Sequence, residues 1–234
     1  MEVAGVDGCP AGWLIITYVA GTFYHQIHGD FEELLSANPT VSRILIDMPI
    51  GLASPGYPRT IDQKLRRQLP GRGSTVFNTP VRAAIYASHF DEARCVNKQM
   101  TGKSLSIQSL HLMDKIKQID TYLINTPKKA LKIYESHPEL CFKSLNNDKT
   151  LLSKKSSIEG QRHRLRILGN YESSIKDLYQ NILSSTTTKR VRRDDIIDAL
   201  CLCLVNKLAI HDKLKFLSDE NAKDEHGIEI KIAY

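Results

Sequence analysis

The amino-acid sequence predicts a mixed α/β domain, and three observations carry this prediction. Residues 3–28 contain three β-rich runs separated by Gly- and Pro-containing turns, which is typical of an antiparallel three-strand meander. The run 43–46, in which an arginine is followed by Ile, Leu and Ile, indicates a fully buried strand of the kind found in parallel sheets. The segment 196–210 is apolar on nearly all sides, which predicts a buried helix.

Local signals define the other helices. Asp30 is followed three residues later by Glu33, a capping-box spacing that starts a helix directly after the meander. Further helical patterns occur in three segments, at 62–69, 103–124 and 139–183. Gly160 and Gly169 are expected to break the last of these segments.

The remaining patterns complete a single mixed sheet with helices packed against it. Residues 130–135 form a further strand pattern, and the alternating run 227–232 adds an edge strand. The order β-β-β-α-β-(α)-β-α is that of one mixed-sheet domain. We therefore predict one domain over residues 1–234, with a Pro/Gly-rich insertion at about 53–80 and a helical insertion at about 139–190.

Composition sets broad limits on partners and compartment. The chain has 234 residues, of which 41% are hydrophobic and 25% charged, as in an ordinary soluble globular protein. No apolar run approaches the roughly 20 residues of a membrane span, and the N-terminus lacks a signal-peptide pattern, so we expect no membrane partner. The five scattered cysteines form no C-x-x-C pair and predict reduced thiols in a cytoplasmic protein. The net charge of +6 permits a nucleic-acid partner without requiring one.

Acidic residues stand at the ends of several predicted elements. Three strands end in an acid, at Asp7, Asp47 and Glu135. The buried helix begins with three more, Asp194, Asp195 and Asp198. Asp195 and Asp198 are three residues apart, so they share one face of the helix. If these ends meet, the like charges raise one another's pKa unless a cation holds them together.

Carboxylate oxygens are the ligands that suit Mg²⁺ or Mn²⁺. A pair of such ions can activate water and stabilise the leaving oxygen in phosphodiester cleavage. The candidate metal ligands are Asp7, Asp47, Glu135, Asp195 and Asp198. The candidate catalytic residues are the four aspartates among them.

Each acid also has a purely structural explanation. Asp195 and Asp198 can serve as an N-cap and capping box, and helix N-termini attract carboxylates in any case. Asp7 precedes Gly8 and can start a turn. Glu135 can be an exposed strand-end residue. Asp47 is harder to explain this way, because the strand before it is so apolar.

Basic residues form three clusters, at 59–82, 154–166 and 189–193. Phosphate backbones recruit such clusters, and the amide groups of residues 71–74 can face an anion. We expect contacts with nucleic acid from six residues in these clusters: Arg72, Arg82, Lys155, Arg164, Arg192 and Arg193. The alternative is that each cluster is an ordinary solvated face.

Several motifs together resemble a known family. In chain order they are GVDGCPAGW, IDMPIGL, LRRQLPGRGSTVFNTPVRAAIY, ESHPELCF, EGQRHRLRIL and DDIIDAL. They are similar to a domain-of-unknown-function family of predicted nucleases in the RNase H-like superfamily, on the side nearest the RuvC-like resolvases. The resemblance covers essentially the whole chain.

The resemblance implies an RNase H-like fold: a five-stranded mixed sheet, with an antiparallel three-strand meander and then parallel strands, flanked by helices. The superfamily places one acid on strand one, which matches Asp7, and another at the end of strand four, which matches Asp47. The D-x-x-D spacing of RuvC-like enzymes matches Asp195 and Asp198. Glu135 matches the glutamate of the family's E-x-H-P-E segment. The Cys-Pro pair after Asp7-Gly8 departs from well-studied nucleases.

Three functions are consistent with these residues. The first is a metal-dependent nuclease that hydrolyses phosphodiester bonds of nucleic acid through a two-metal carboxylate site, with Mg²⁺ or Mn²⁺ as cofactor. The second is a non-catalytic nucleic-acid or nucleotide-binding module on the same fold, which would bind without turnover. The third is a phosphotransferase related to actin and sugar kinases. It ranks last, because those proteins duplicate the fold and carry a second Asp-Gly loop, whereas Asp7-Gly8 is the only Asp-Gly here.

Overall fold

A computed structural model describes residues 1–126 and 130–234 of the chain. Up to the end of β4 the elements are β1 (Val3–Cys9), β2 (Gly12–Val19), β3 (Thr22–His28), α1 (Phe31–Ala37) and β4 (Arg43–Ile46). The next elements are the helices α2 (Ile61–Gln68), α3 (Arg82–Ile85), α4 (Phe90–Thr101) and α5 (Ile107–Asn125), with a 3₁₀ turn at Gly73–Thr75. The last are β5 (Lys132–Ser136), α6 (Pro138–Leu145), α7 (Ile158–Tyr171), α8 (Ile175–Ser185), α9 (Arg193–Leu208), β6 (Phe216–Lys223) and β7 (Glu229–Ala233).

Within residues 1–126 and 130–234, seven strands form one mixed sheet in the order β3-β2-β1-β4-β5-β7-β6. β2 pairs antiparallel with β1 and β3, which confirms the predicted meander. β4 pairs parallel with both β1 and β5, as its apolar sequence predicts. The chain is therefore a mixed α/β fold.

The predicted count of five strands is wrong, because β6 belongs to the sheet as well as β7. The sequence of β6, FLSDENAK, is mostly polar and mostly exposed, so it lacks the apolar alternation that marks a strand. β7 was expected at an edge of the sheet. It instead lies between β5 and β6 in the strand order, and β6 takes the edge.

Helix α9 is buried from Asp195 to Asn206, as the sequence predicts. Its apolar side chains share one core with Leu14 and Ile16 of β2 and with Leu45 of β4. The amide group of Asn206 fixes the far end of the helix, because its Nδ2 donates to the carbonyl oxygens of Ala4 (2.8 Å) and Arg43 (3.0 Å). A buried amide that is satisfied by two strands holds the helix in one position on the sheet.

The backbones of α9 and β1 also approach each other very closely at Gly5. A methyl group built on Gly5 would lie 2.2 Å from the amide nitrogen of Cys203 and 2.4 Å from the carbonyl oxygen of Ala199. These are backbone atoms of α9, so they cannot shift unless the whole helix moves. Only glycine permits this spacing, and the spacing sets how near the start of α9 comes to the end of β1.

Helices α6, α7 and α8 occupy the segment that was predicted to be mostly helical. The predicted breaks at Gly160 and Gly169 are wrong, since both glycines lie inside α7. Gly160 is required for packing, because a Cβ atom there would lie 2.0 Å from the carbonyl oxygen of Lys154. Asp30 is confirmed as the N-cap of α1, where its side chain accepts a hydrogen bond from the Glu33 amide at 2.8 Å.

The chain forms two compact units. The first consists of Met1–Met48, Lys129–Phe216 and Ala233–Tyr234, and the second of Pro49–Lys128 and Leu217–Ile232. This division does not test the prediction of one domain with insertions at about 53–80 and 139–190, which stays a prediction. No helix in the described part of the chain is both long and apolar enough to cross a bilayer.

Replacing Gly5 by alanine is expected to destabilise the first unit strongly. The added methyl group must push α9 away from β1, and overpacking of this kind costs about 1–3 kcal/mol. We expect the melting temperature to fall by roughly 3–10 °C in a thermal unfolding experiment. Gly29→Ala is the matched control, since a methyl group there meets only the end of the Glu33 side chain, at 3.7 Å. Equal melting temperatures for the two variants would contradict the close approach.

Candidate metal centre

Strand register brings two of the predicted acids together. β1 and β4 run parallel with Val6 opposite Ile46, and the amide of Asp47 donates to the carbonyl oxygen of Val6 at 3.1 Å. This hydrogen bond extends the pairing one residue beyond β4, so Asp47 comes level with Asp7 on β1. The two carboxylates are therefore neighbours because of backbone pairing alone.

The first turns of α9 add the third acid. Oxygen atoms of Asp7, Asp47 and Asp198 all lie within 4.8 Å of one another. Asp7 and Asp198 are buried and Asp47 is half-buried. The position of Asp198 depends on the close packing of α9 on β1. Three elements that are distant in sequence thus form one compact group of carboxylates, which we call the carboxylate centre.

Burial and mutual repulsion make Asp7 and Asp47 hard to ionise. Burial, together with the charges of Asp47 and Asp198, raises the pKa of Asp7 well above its ordinary value. Burial also raises the pKa of Asp47 to about 7, with Asp198 and Glu135 adding to the effect and Lys155 opposing it. A metal-free centre therefore holds protons that an exposed aspartate would have lost.

Lys155 places a positive charge at this centre. Its Nζ donates to Oδ2 of Asp198 at 2.8 Å and lies 3.9 Å from Oδ2 of Asp194. Asp198, followed by Asp7 and Asp47, raises the pKa of Lys155 above its ordinary value. The lysine side chain is 40% exposed, whereas that of Asp198 is 2% exposed, so the ammonium reaches the buried carboxylate from the solvent side.

The predicted pair Asp195 and Asp198 is divided between two positions. Asp195 lies in the first turn of α9, where its Oδ2 accepts a hydrogen bond from the backbone amide of Arg192 at 2.8 Å. This is the helix-capping position that the sequence left open. Burial raises the pKa of Asp195 to about 6, opposed by the bond from Arg192. Asp195 is outside the group that meets within 4.8 Å, although its charge acts on Asp7.

Glu135 is buried on β5, in register with Ile46, the residue before Asp47. Glu135 is therefore not the exposed strand-end residue that the sequence also allowed. Glu135 raises the pKa of Asp47 through its charge, and it lies outside the group of three. It is a fourth carboxylate beside the centre.

A buried ion pair supports the centre and was missed from the sequence. Nη2 of Arg164 donates to both oxygens of Glu139, at 2.7 and 2.9 Å. Nη1 of the same guanidinium donates to the carbonyl oxygens of Ser153 and Gly160, both at 3.2 Å. The sequence contained a signal for this burial, because Gly160, Arg164, Ile167 and Leu168 recur at helical spacing on one face of α7.

The six basic residues expected to contact nucleic acid occupy different environments. Arg164 is buried against Glu139 in the first unit. In the second unit, Arg82 is buried among Asp120, Asp224 and Glu225. Both guanidinium groups are buried against carboxylates and are not accessible to a phosphate group. Arg192 and Arg193 are exposed, and Arg72 is half-buried. Lys155 is engaged with Asp198.

These features define a mixed α/β protein with a largely buried carboxylate centre, and Lys155 is a counter-ion of that centre. The chain belongs to the family described as "Protein of unknown function (DUF429)", whose model matches residues 5–222. The match spans all three acids of the centre, and the description assigns no activity. No match is found among curated proteins or among solved structures.

The stability of the metal-free protein is expected to depend on pH through Asp47. Its pKa is about 7 in the folded protein against an ordinary value of 3.8, so between these values the unfolded chain releases a proton that the folded chain retains. The free energy of unfolding should therefore fall as pH rises from about 4 to about 7.

This effect can be isolated by substitution, with EDTA present throughout. The Asp47→Asn variant lacks the titrating group, so the wild type should lose roughly 3–6 °C more of its melting temperature than the variant between pH 5 and pH 8. Asp114→Asn, at an exposed aspartate of α5, is the control and should behave as the wild type. Parallel pH profiles for all three proteins would show that Asp47 is ordinarily solvated.

Proposed function

We propose that this protein is a metal-dependent nuclease, which hydrolyses phosphodiester bonds of nucleic acid through a two-metal carboxylate site on an RNase H-like fold. The observation that carries the proposal is the approach of Asp7, Asp47 and Asp198 within 4.8 Å of one another. Burying like charges so closely is unfavourable for the fold unless a cation is bound there.

The strand arrangement supports the RNase H-like part of the proposal. An antiparallel meander precedes two strands that pair in parallel, β4 beside β1 and β5 beside β4. Asp7 lies on β1, Asp47 directly follows β4 and Asp198 lies on α9, which supports the site that the resemblance implies. Two further strands, β6 and β7, add to the five that the resemblance implies.

The donor set fits a hard divalent cation. Asp7, Asp47 and Asp198 would hold Mg²⁺ or Mn²⁺, with Glu135 as a neighbouring carboxylate, and all of these groups bind through oxygen. Such ions, when bound, supply an activated water molecule and neutralise charge on the leaving oxygen. A bound cation would also favour the ionised carboxylates, which removes the protons that burial retains on Asp7 and Asp47.

The chain's own residues have separate tasks in this proposal. Asp195 holds the amide of Arg192 and so fixes the start of α9, from which Asp198 extends. Arg192 and Arg193 are exposed beside that turn, where their charges can hold a phosphate backbone. Lys155 neutralises part of the centre from the solvent side. Binding of the nucleic acid should therefore weaken as salt concentration rises.

The nuclease proposal is tested by comparing the wild type with Asp7→Asn/Asp47→Asn. Calorimetry with Mn²⁺ should show binding by the wild type and at least about a hundredfold weaker binding by the double variant, since two ligands are lost. Cleavage of single-stranded and structured DNA and RNA should require Mg²⁺ or Mn²⁺, and should fall at least about a hundredfold in the double variant.

The control carries two aspartate-to-asparagine changes at exposed positions, Asp114→Asn/Asp212→Asn. It should bind Mn²⁺ and cleave as the wild type does. Cleavage that survives in Asp7→Asn/Asp47→Asn would overturn the assignment of the site. Absence of Mn²⁺ binding by the wild type would overturn the metal-dependent mechanism.

A nucleotide- or nucleic-acid-binding module without catalysis is the second candidate, and one observation in the second unit favours it. An open pocket of about 650 Å³ is lined by Arg66, Lys103, Ser74, Ser104, Phe77 and Asn78, among others. Its lining carries two cations, several hydroxyl groups and one aromatic ring, with no carboxylate among the described residues that line it. Salt-dependent oligonucleotide binding that needs Arg66 and Lys103, with no metal-dependent turnover by the wild type, would favour this candidate.

A further inference from the structure

We propose that Lys155 is a displaceable counter-ion of the carboxylate centre. Its ammonium holds Asp198 in the metal-free protein, and a divalent cation must displace it to bind. Lys155 therefore lowers the metal affinity of the centre and stabilises the metal-free fold. The inference rests on the proposed metal site, and it goes further by assigning the control of metal occupancy to one residue.

Lys155 and a metal ion would compete for the same oxygens. Nζ of Lys155 already occupies Oδ2 of Asp198 at 2.8 Å, and the group of three carboxylates that could hold a metal includes Asp198. Two positive charges at such distances repel each other by several kcal/mol even at an effective dielectric constant of about 20. Simultaneous occupation is therefore unfavourable, and binding of one cation should expel the other.

The side chain of Lys155 is free to leave, whereas its backbone is fixed. Lys155 is 40% exposed, so its departing ammonium gains hydration. The carbonyl oxygen of the preceding residue, Lys154, accepts hydrogen bonds from the amide (3.1 Å) and the Oγ (2.8 Å) of Ser157. The same carbonyl oxygen packs against Gly160 of α7 with no room for a Cβ atom.

The buried ion pair holds this segment from the other side. Arg164 binds Glu139 through Nη2 and the carbonyl oxygen of Ser153 through Nη1. Ser153 is two residues before Lys155, so the ion pair fixes the segment from which the lysine extends. This arrangement gives the pair a positioning role: it keeps the Cα atom of Lys155 within reach of Asp198 while the ammonium moves.

The carboxylates that act on the ammonium are those of the centre, together with Asp194 and Asp195 of α9. Asp198, Asp7 and Asp47 act on Lys155 through their charges, and Asp194 lies 3.9 Å away. One lysine neutralises one of these charges, whereas a divalent cation neutralises two. Exchange of the lysine for the metal is therefore favourable in charge and leaves an ammonium group beside the centre. There it can pair with an approaching phosphate.

The test is Mn²⁺ calorimetry and thermal unfolding of Lys155→Met, which keeps the aliphatic chain and removes the charge. We expect Mn²⁺ affinity to rise at least about tenfold, and the metal-free melting temperature to fall by a few degrees. Lys155→Arg keeps a charge and should bind Mn²⁺ within about threefold of the wild type. Lys154→Met is the matched control at the adjacent exposed lysine and should leave both quantities unchanged.

The outcomes separate this inference from the proposed function. If the wild type binds Mn²⁺ and Lys155→Met binds it equally or more weakly, the counter-ion inference fails while the metal site stands. If neither protein binds Mn²⁺, both fail. If Lys155→Met folds only when Mn²⁺ is present, the inference is supported, because the metal then replaces the missing charge. Failure of Lys155→Met to fold with Mn²⁺, although Lys155→Gln folds and binds Mn²⁺ as the wild type does, contradicts the inference.

Discussion

The close approach of three carboxyl groups at the end of β1 is the constraint that the first unit must accommodate. Asp7, Asp47 and Asp198 meet within 4.8 Å, and such an arrangement persists only where the surrounding structure imposes it. Backbone pairing of β4 with β1 brings Asp47 beside Asp7. Glycine at position 5 and the buried amide of Asn206 hold α9 against the same strands, and this packing keeps Asp198 beside the other two.

Several separate effects reduce the repulsion among these carboxyl groups. Protons are retained, because burial raises the pKa values of Asp7 and Asp47. One ammonium group, from Lys155, pairs with Asp198. The neighbouring Glu139 is paired separately with Arg164, and its charge still contributes to the raised pKa of Asp47. These compensations are partial, which is the arrangement expected of a site that gains its full stability when a ligand binds.

The parts of this arrangement that could be predicted are those encoded by local sequence. A short apolar strand that ends in a lone aspartate is unusual, and this pattern identified both Asp7 and Asp47. The all-round apolar pattern of α9 identified a buried helix whose first turns carry acids. The separation of Asp195 from Asp198 could not be predicted, because it depends on which of the two residues faces the cap and which faces the sheet.

Other features were hidden because their signals are not local. Arg82 and Arg164 belong to basic clusters of the sequence. Such a cluster predicts an exposed charged surface, because the acidic partners of each arginine cannot be recognised from the sequence. For Arg82 these partners include Asp224 and Glu225, which are more than 140 positions away. β6 has an exposed polar sequence and is a strand only through pairing with a neighbour, which local periodicity does not report. These features therefore depend on contacts with residues that are distant in the chain.

In the proposed site, Asp7, Asp47 and Asp198 together bind a divalent cation. The most direct measurement is a crystal structure of the wild-type protein grown with Mn²⁺, with data collected for the anomalous signal of manganese. We expect an anomalous peak about 2.0–2.5 Å from an oxygen of each of the three carboxylates. An anomalous map without a peak at these residues, from crystals grown at millimolar Mn²⁺, would contradict the proposed site.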